Sequence, residues 1–156
     1  LSAALRLMTA GTRQQAPARG QPVPGELRIG WRVPVLLLMV EKCWGRRASW
    51  AQMHVLSWFL LSRRTADDAQ RLLSGDVPLG EEAVGIDPAV NLAIDRAVGE
   101  GLLRPAGTRV ELTPAGEAAL RRVKDSGAFE AERAALDALQ GKVTEAQAKR
   151  AFGARA

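Results

Sequence analysis

The chain has 156 residues but only one cysteine, one histidine and no tyrosine. A lone Cys43 leaves no internal disulfide framework and no cysteine-based zinc site. Its place in an apolar run reads as a reduced, buried thiol. His54 lies inside an apolar stretch, which reads as a hydrogen-bonded core residue. No glycine-rich phosphate loop has a recognisable spacing, and the carboxylates lack the spacing of a calcium loop. Nothing pairs a nucleophile with a placed base. The expectation is a protein that is not an enzyme and carries no cofactor or metal. No apolar run is long enough to span a bilayer. The opening Leu1 to Gly11, interrupted by Arg6, is too short for a signal peptide. A cytoplasmic chain is expected by default. Leu1 stands where a methionine would begin a chain, and Met8 is an alternative start.

What is present divides into three zones of charge. Residues 1–64 carry ten basic and two acidic side chains, residues 65–100 two basic and eight acidic, and residues 101–156 ten basic and seven acidic. The net charge of +5 therefore hides an acidic block in the middle of the chain. Apolar residues make up 47% of the chain, enough for a real core in one domain with tails. Residues 1–31 combine Gly11, Pro17, Gly20, Pro22, Pro24, Gly25 and Gly30 with scattered arginines and show no periodicity. They read as a disordered basic arm, followed by a folded domain at 32–125 and a helical extension at 126–156.

Val33 to Val40 is a continuous apolar run with Pro34 near its start. Its continuation through Glu41, Lys42 and Cys43 predicts a helix of about three turns, with a break at Gly45-Arg46-Arg47. Ser49-Trp50-Ala51-Gln52 matches a capping box. The helix behind it, with Met53, Val55, Leu56, Trp58, Phe59, Leu60 and Leu61, is apolar nearly all round, so it reads as the central buried helix. Thr65-Ala66-Asp67-Asp68 starts a short helix carrying Ala69, Leu72 and Leu73. Gly75 to Gly85, with Pro78 and Glu81-Glu82, reads as a loop longer than a minimal helix-turn-helix uses.

Asp87-Pro88 places an N-cap before a proline at the first helical position. Val90, Ala93, Ile94, Ala97 and Gly101 then share one helical face. Leu102-Leu103-Arg104, the turn Pro105-Ala106-Gly107, and Val110 and Leu112 alternating with Arg109 and Glu111 read as a two-stranded hairpin. Thr113-Pro114 opens another helix with Ala118, Ala119, Leu120 and Val123. Phe129, Leu136, Leu139, Val143 and Ala146 then recur at three- and four-residue steps, with Glu132 the exception, as in a short coiled-coil seam. Gly141 interrupts that seam, and Thr144 to Gln147 offers a second capping box. The seam predicts either a helix folded back on the domain or a homodimer and partner-binding helix.

The segment from Ala97 to Leu120 resembles the recognition helix, wing and following helix of bacterial winged-helix regulators of the MarR and PadR types. Gly101-Leu102 before the first wing strand and Leu112-Thr113-Pro114-Ala115-Gly116 after the second carry the resemblance. It implies a mainly α fold with a small two-stranded β-wing, the winged helix-turn-helix. A second similarity, over Arg47-Ala48-Ser49 through His54 to Trp58, is to the small middle components encoded beside an ATPase and an effector in bacterial anti-phage defence cassettes. It implies an adaptor or sensor subunit.

Two functions follow as expectations. The first is duplex DNA binding by a transcriptional-regulator-like module. Arg104 and Arg109 on the wing, Arg121 and Arg122 beyond it, and Arg46 and Arg47 in a loop would contact phosphate. Arg96 would read a base, and Asn91 would flank it. The second is a protein–protein adaptor in a larger complex, using Leu92 and Asp95 on the outward helix face and Phe129, Leu136 and Leu139 on the seam. That outward face holds Leu92, Asp95, Arg96 and Gly99, a poor match to a major-groove reader.

Overall fold

The computed structural model describes residues 29–61, 65–74, 86–139 and 141–153. The expected basic arm, apart from its last three residues, and the loop Gly75 to Gly85 fall outside the described residues. The architecture is mainly helical with a small antiparallel sheet of three strands, ordered β1-β3-β2.

Helix α1 spans Ile29–Lys42. It begins four residues before the apolar run, so Pro34 is its sixth residue, and the missing N–H leaves the Gly30 carbonyl without that intrahelical bond. Val35 through Val40 are all buried, and a helix buried on every side must have neighbours on every side. The hub of the fold is therefore α1. The helix expected to be central, α2 at Trp50–Leu61, packs beside it and is buried along most of its length.

A single 3-10 turn, Trp44–Arg46, follows α1, with Gly45 at φ +73° in left-handed space where a Cβ would be strained. Strand β1, Arg47–Ser49, comes next and corrects the expected two-stranded wing to a sheet of three strands. Arg47 pairs with Glu111, Ala48 with Val110 and Ser49 with Arg109. Three residues are too few to show alternation, so this stretch reads locally as a break. The capping box that starts α2 is as expected. The Ser49 amide donates to Gln52 Oε1 at 2.7 Å, and the Gln52 amide donates to Ser49 Oγ at 3.2 Å.

Helix α3 is Ala66–Leu73, its first turn held by Thr65 Oγ1 accepting from the Asp68 amide at 3.1 Å. Helix α4, Pro88–Gly99, begins as the Asp-Pro signal predicts, with the Asp87 carboxylate accepting from the Ala89 amide at 3.0 Å. Its buried residues are Val90, Ala93 and Ala97, with Ile94 packed more loosely at the core edge. The hairpin follows as β2, Leu103–Ala106, and β3, Arg109–Leu112. Leu103 pairs with Leu112 and Ala106 with Arg109 across Gly107, whose φ is +67°.

Helix α5, Pro114–Asp125, starts at Thr113, which accepts from the Gly116 amide at 3.0 Å. A Cβ at Gly116 would lie 2.0 Å from the Leu102 carbonyl oxygen. Only glycine lets the first turn of α5 press this closely on the chain entering the hairpin.

The C-terminal seam is two short helices, α6 at Glu130–Ala138 and α7 at Glu145–Gly153. Leu136, Leu139 and Val143 are buried within the chain and Ala146 is exposed. Of the two expectations for this seam, the structure follows the fold-back. Val143 forms a parallel bridge with Cys43, donating to the Lys42 carbonyl at 3.0 Å and accepting from the Trp44 amide at 2.8 Å. Gln52 Nε2 adds a bond to the same Val143 carbonyl at 2.9 Å. The second capping box forms between Thr144 and Gln147, at 2.8 and 3.1 Å.

Candidate interaction site

The sheet register sorts its side chains onto two faces. One face carries Arg47, Glu111 and Arg104 in a row across β1, β3 and β2. The other carries Ala48, Val110 and Pro105, continuing inward to Leu103 and Leu112, which are buried. The apolar face thus begins in the core and emerges between the hairpin, the start of α2 and the middle of α4. There it lines an open cleft of about 450 Å³, with Trp50, Met53, Ile94 and Asp95 on the helical side.

On the charged face the arginines nominated for phosphate contact are already engaged by carboxylates. Arg47 and Arg104 share Glu111, at 3.1 and 2.8 Å from its two oxygens. Both hold the Glu111 carboxyl below the usual carboxylate range, with the hydrogen bond from Arg104 the larger cause. Arg109 pairs with Glu145 at 2.5 Å, and that bond likewise lowers the Glu145 carboxyl. Arg46 bridges Glu117 at 3.0 Å and Glu41 at 3.7 Å. Arg96 pairs with Glu100 one turn along α4 at 2.8 Å. Among the described residues, Arg121 and Arg122 are exposed and make no ion pair.

Asn91, expected beside a base, is turned inward to a polar cluster at the start of α4. Its Oδ1 accepts from Trp50 Nε1 at 3.0 Å and lies 3.2 Å from His54 Nε2. His54 is buried, as the sequence predicts, and its Nδ1 accepts from the Asp87 amide at 3.2 Å. That acceptor role assigns the proton to Nε2, which donates to Asn91, so the ring is neutral. Burial pushes the His54 pKa below the usual histidine value, against the bond to Asn91 and the charge of Asp87. Arg32 is 4% exposed and completes the cluster, pairing with Asp87 at 2.9 Å and donating to Ser57 Oγ at 3.3 Å. Sequence reasoning missed Arg32 because its partners lie far along the chain.

The outward face of α4 is as the helical spacing predicts, with Leu92, Asp95, Arg96 and Gly99 all exposed. Leu92 is 58% exposed and Trp50, at the rim of the cleft, 43%. With its cap, α4 carries three acids, Asp87, Asp95 and Glu100, against Arg96 alone. The seam residues nominated for partner binding part company with this face. Leu136 and Leu139 are buried against the chain's own helices and Phe129 is half-buried. As placed, Leu136 and Leu139 are covered by the chain itself, while part of the Phe129 ring remains exposed.

A second open cleft of about 410 Å³ gathers Lys42, Lys124, Arg133 and Lys142 near the ends of α1, α5 and α6. Lys42 donates to the Leu139 carbonyl at 2.6 Å, Lys142 to the Glu41 carbonyl at 2.7 Å and Arg133 to the Lys124 carbonyl at 3.0 Å. Lys124 binds the Glu41 carboxylate at 2.6 Å. Lys42, Lys142 and Arg133 thus satisfy carbonyls at or near helix ends, whose dipoles favour positive charge. Burial lowers the Lys42 pKa, with Asp137 opposing. Cys43 is fully buried, which pushes its thiol up to about 12, away from the reactive thiolate. Among the described residues no cluster of histidine, cysteine, aspartate or glutamate is arranged to hold a metal ion. No helix among them is long and apolar enough to cross a membrane.

No protein-family model, curated protein or solved structure matches the chain.

Proposed function

We propose that this chain is a winged-helix module that works as a protein–protein adaptor in a larger assembly. The order of elements supports the winged-helix frame: helix, edge strand, helices, then a helix leading directly into a β-hairpin whose second strand lies in the middle of the sheet. In such a frame α4 occupies the place of the recognition helix. The observation that carries the adaptor reading is the outward face of α4, where an exposed leucine stands beside an aspartate and the nearby arginine is paired with glutamate. A groove reader needs donors and net positive charge there, whereas a central apolar residue in a polar rim suits a protein contact. The similarity of residues 47–58 to small middle components of multi-component systems points the same way.

DNA binding is the second reading, and the open guanidiniums of Arg121 and Arg122 favour it. Surface ion pairs also exchange readily, because each is worth only about 0–1 kcal/mol. A gel shift with random duplex, at roughly 0.15 M salt, separates the two. The adaptor reading expects no retardation. Micromolar binding that weakens with salt and is lost on changing Arg104, Arg109, Arg121 and Arg122 to Ala would overturn it. Its positive arm is co-expression with the products of the flanking genes, where Leu92→Glu should abolish co-purification.

A further inference from the structure

Resting on the adaptor reading, we infer that the cleft between the hairpin and α4 is the specificity pocket of that contact, and that it takes a partner protein's apolar side chain with a lysine or arginine beside it. The cleft is the outer end of the sheet's apolar face. Leu103 and Leu112 at its inner end are covered, while Val110 is half-exposed and Pro105 exposed. Trp50, Met53 and Ile94 form the opposite wall. A side chain inserted there would extend the core by one residue, and burial of that apolar surface would supply the main driving force.

Charge decides the rest of the occupant's chemistry. Two charged side chains line the cleft, Arg109 and Asp95. Arg109 is neutralised by Glu145, whereas Asp95 is exposed and makes no ion pair among the described residues. A basic group next to the inserted residue would meet an unbalanced carboxylate, and a phosphate or acidic group would be repelled. Along the β2 edge recognition runs through side chains rather than strand addition. β2 is an edge of the sheet and Pro105 in its middle has no N–H to offer a further strand.

The test selects random displayed peptides on the immobilised full chain, then titrates the best one, fluorescein-labelled, against wild type and variants. The expected consensus pairs a large apolar residue with a nearby lysine or arginine. Asp95→Arg should weaken the selected peptide about tenfold, and a new selection on that variant should return acidic in place of basic residues. Val110→Glu should abolish binding while the circular dichroism spectrum remains that of a folded chain. A consensus without charge preference, or binding indifferent to Asp95→Arg, overturns the inference. So does a concentration-dependent dimer that Val110→Glu dissolves, since the occupant would then be a second copy. Co-purification lost on Leu92→Glu yet unaffected at Asp95 and Val110 would sink the cleft and leave the adaptor reading standing.

Discussion

Two polar clusters hold the α4–sheet region in place, and they differ in how much water they see. At the start of α4, Arg32 is sequestered with Asp87, Ser57, His54 and Asn91. On the outer face of the sheet, Arg47 and Arg104 grip Glu111 with more than half of each arginine side chain exposed. The chemistry is the same, guanidinium against carboxylate. In the first cluster, removing either partner strands a charge out of water. In the second, solvent takes over whatever partner is lost. The first cluster fixes where α4 begins and how it is aimed. The second adjusts the charge that the sheet shows to solvent.

The strongest way to break the contrast is Asp87→Ala, which removes the α4 cap and leaves Arg32 buried without its carboxylate. Allowing for the partial exposure of Asp87 at 29%, urea unfolding should show a loss of about 3 kcal/mol. Asp87→Asn keeps a capping oxygen and should recover about 1 kcal/mol of that loss. Equal losses for the two variants would mean that the cap contributes nothing.

Acid should act on the buried cluster next. The folded His54 has a pKa below its ordinary 6.5, so between the two values the unfolded chain binds the extra proton. Stability is therefore complete above about pH 6.5 and declines as pH falls toward the folded value. The slope cannot exceed about 1.4 kcal/mol per pH unit for one proton. His54 is the only histidine in the chain, so His54→Gln should flatten the profile from pH 7.5 to pH 5.5. A profile unchanged by that substitution would show that burial does not hold the His54 ring neutral.

The smallest stability effect belongs to the exposed cluster. Glu111→Gln should leave the urea midpoint where it is, yet it frees Arg47 and Arg104 together. In the gel shift the variant should bind duplex more tightly than wild type, and salt should weaken that gain. Absence of that gain would mean that Glu111 is not what masks the arginines.

Most helix starts were legible because their signals are local. Asp87-Pro88, Thr113-Pro114, Thr65 and both capping boxes lie within a few residues of the bonds they make. The inward and outward faces of α4 followed from helical spacing alone. β1 was not legible, because Arg47 meets Glu111 across 64 residues and three residues cannot display a period. The role of α1 as hub was hidden for a related reason. A continuous apolar run signals burial without saying what surrounds it. The seam at 129–146 reads as apolar from spacing, but its destination depends on Gln52 and Cys43, more than ninety residues before Val143. Nor could spacing show that the arginines nominated for phosphate would be matched by Glu111, Glu145 and Glu117 from other elements.

Val143 has a consequence for the order in which the molecule assembles. Its carbonyl receives both the Trp44 amide and the Gln52 side chain, and its amide reaches the Lys42 carbonyl. On a ribosome, residues 42–52 emerge long before their partner does. The end of α1 and the first turn of α2 must wait with these groups exposed to water until the chain has grown past residue 143. Closure of this buckle is a contact of very long sequence separation, the kind that forms late and slows folding. A nascent chain halted before that point lacks the latch, and its Trp44 amide and Gln52 side chain remain in water.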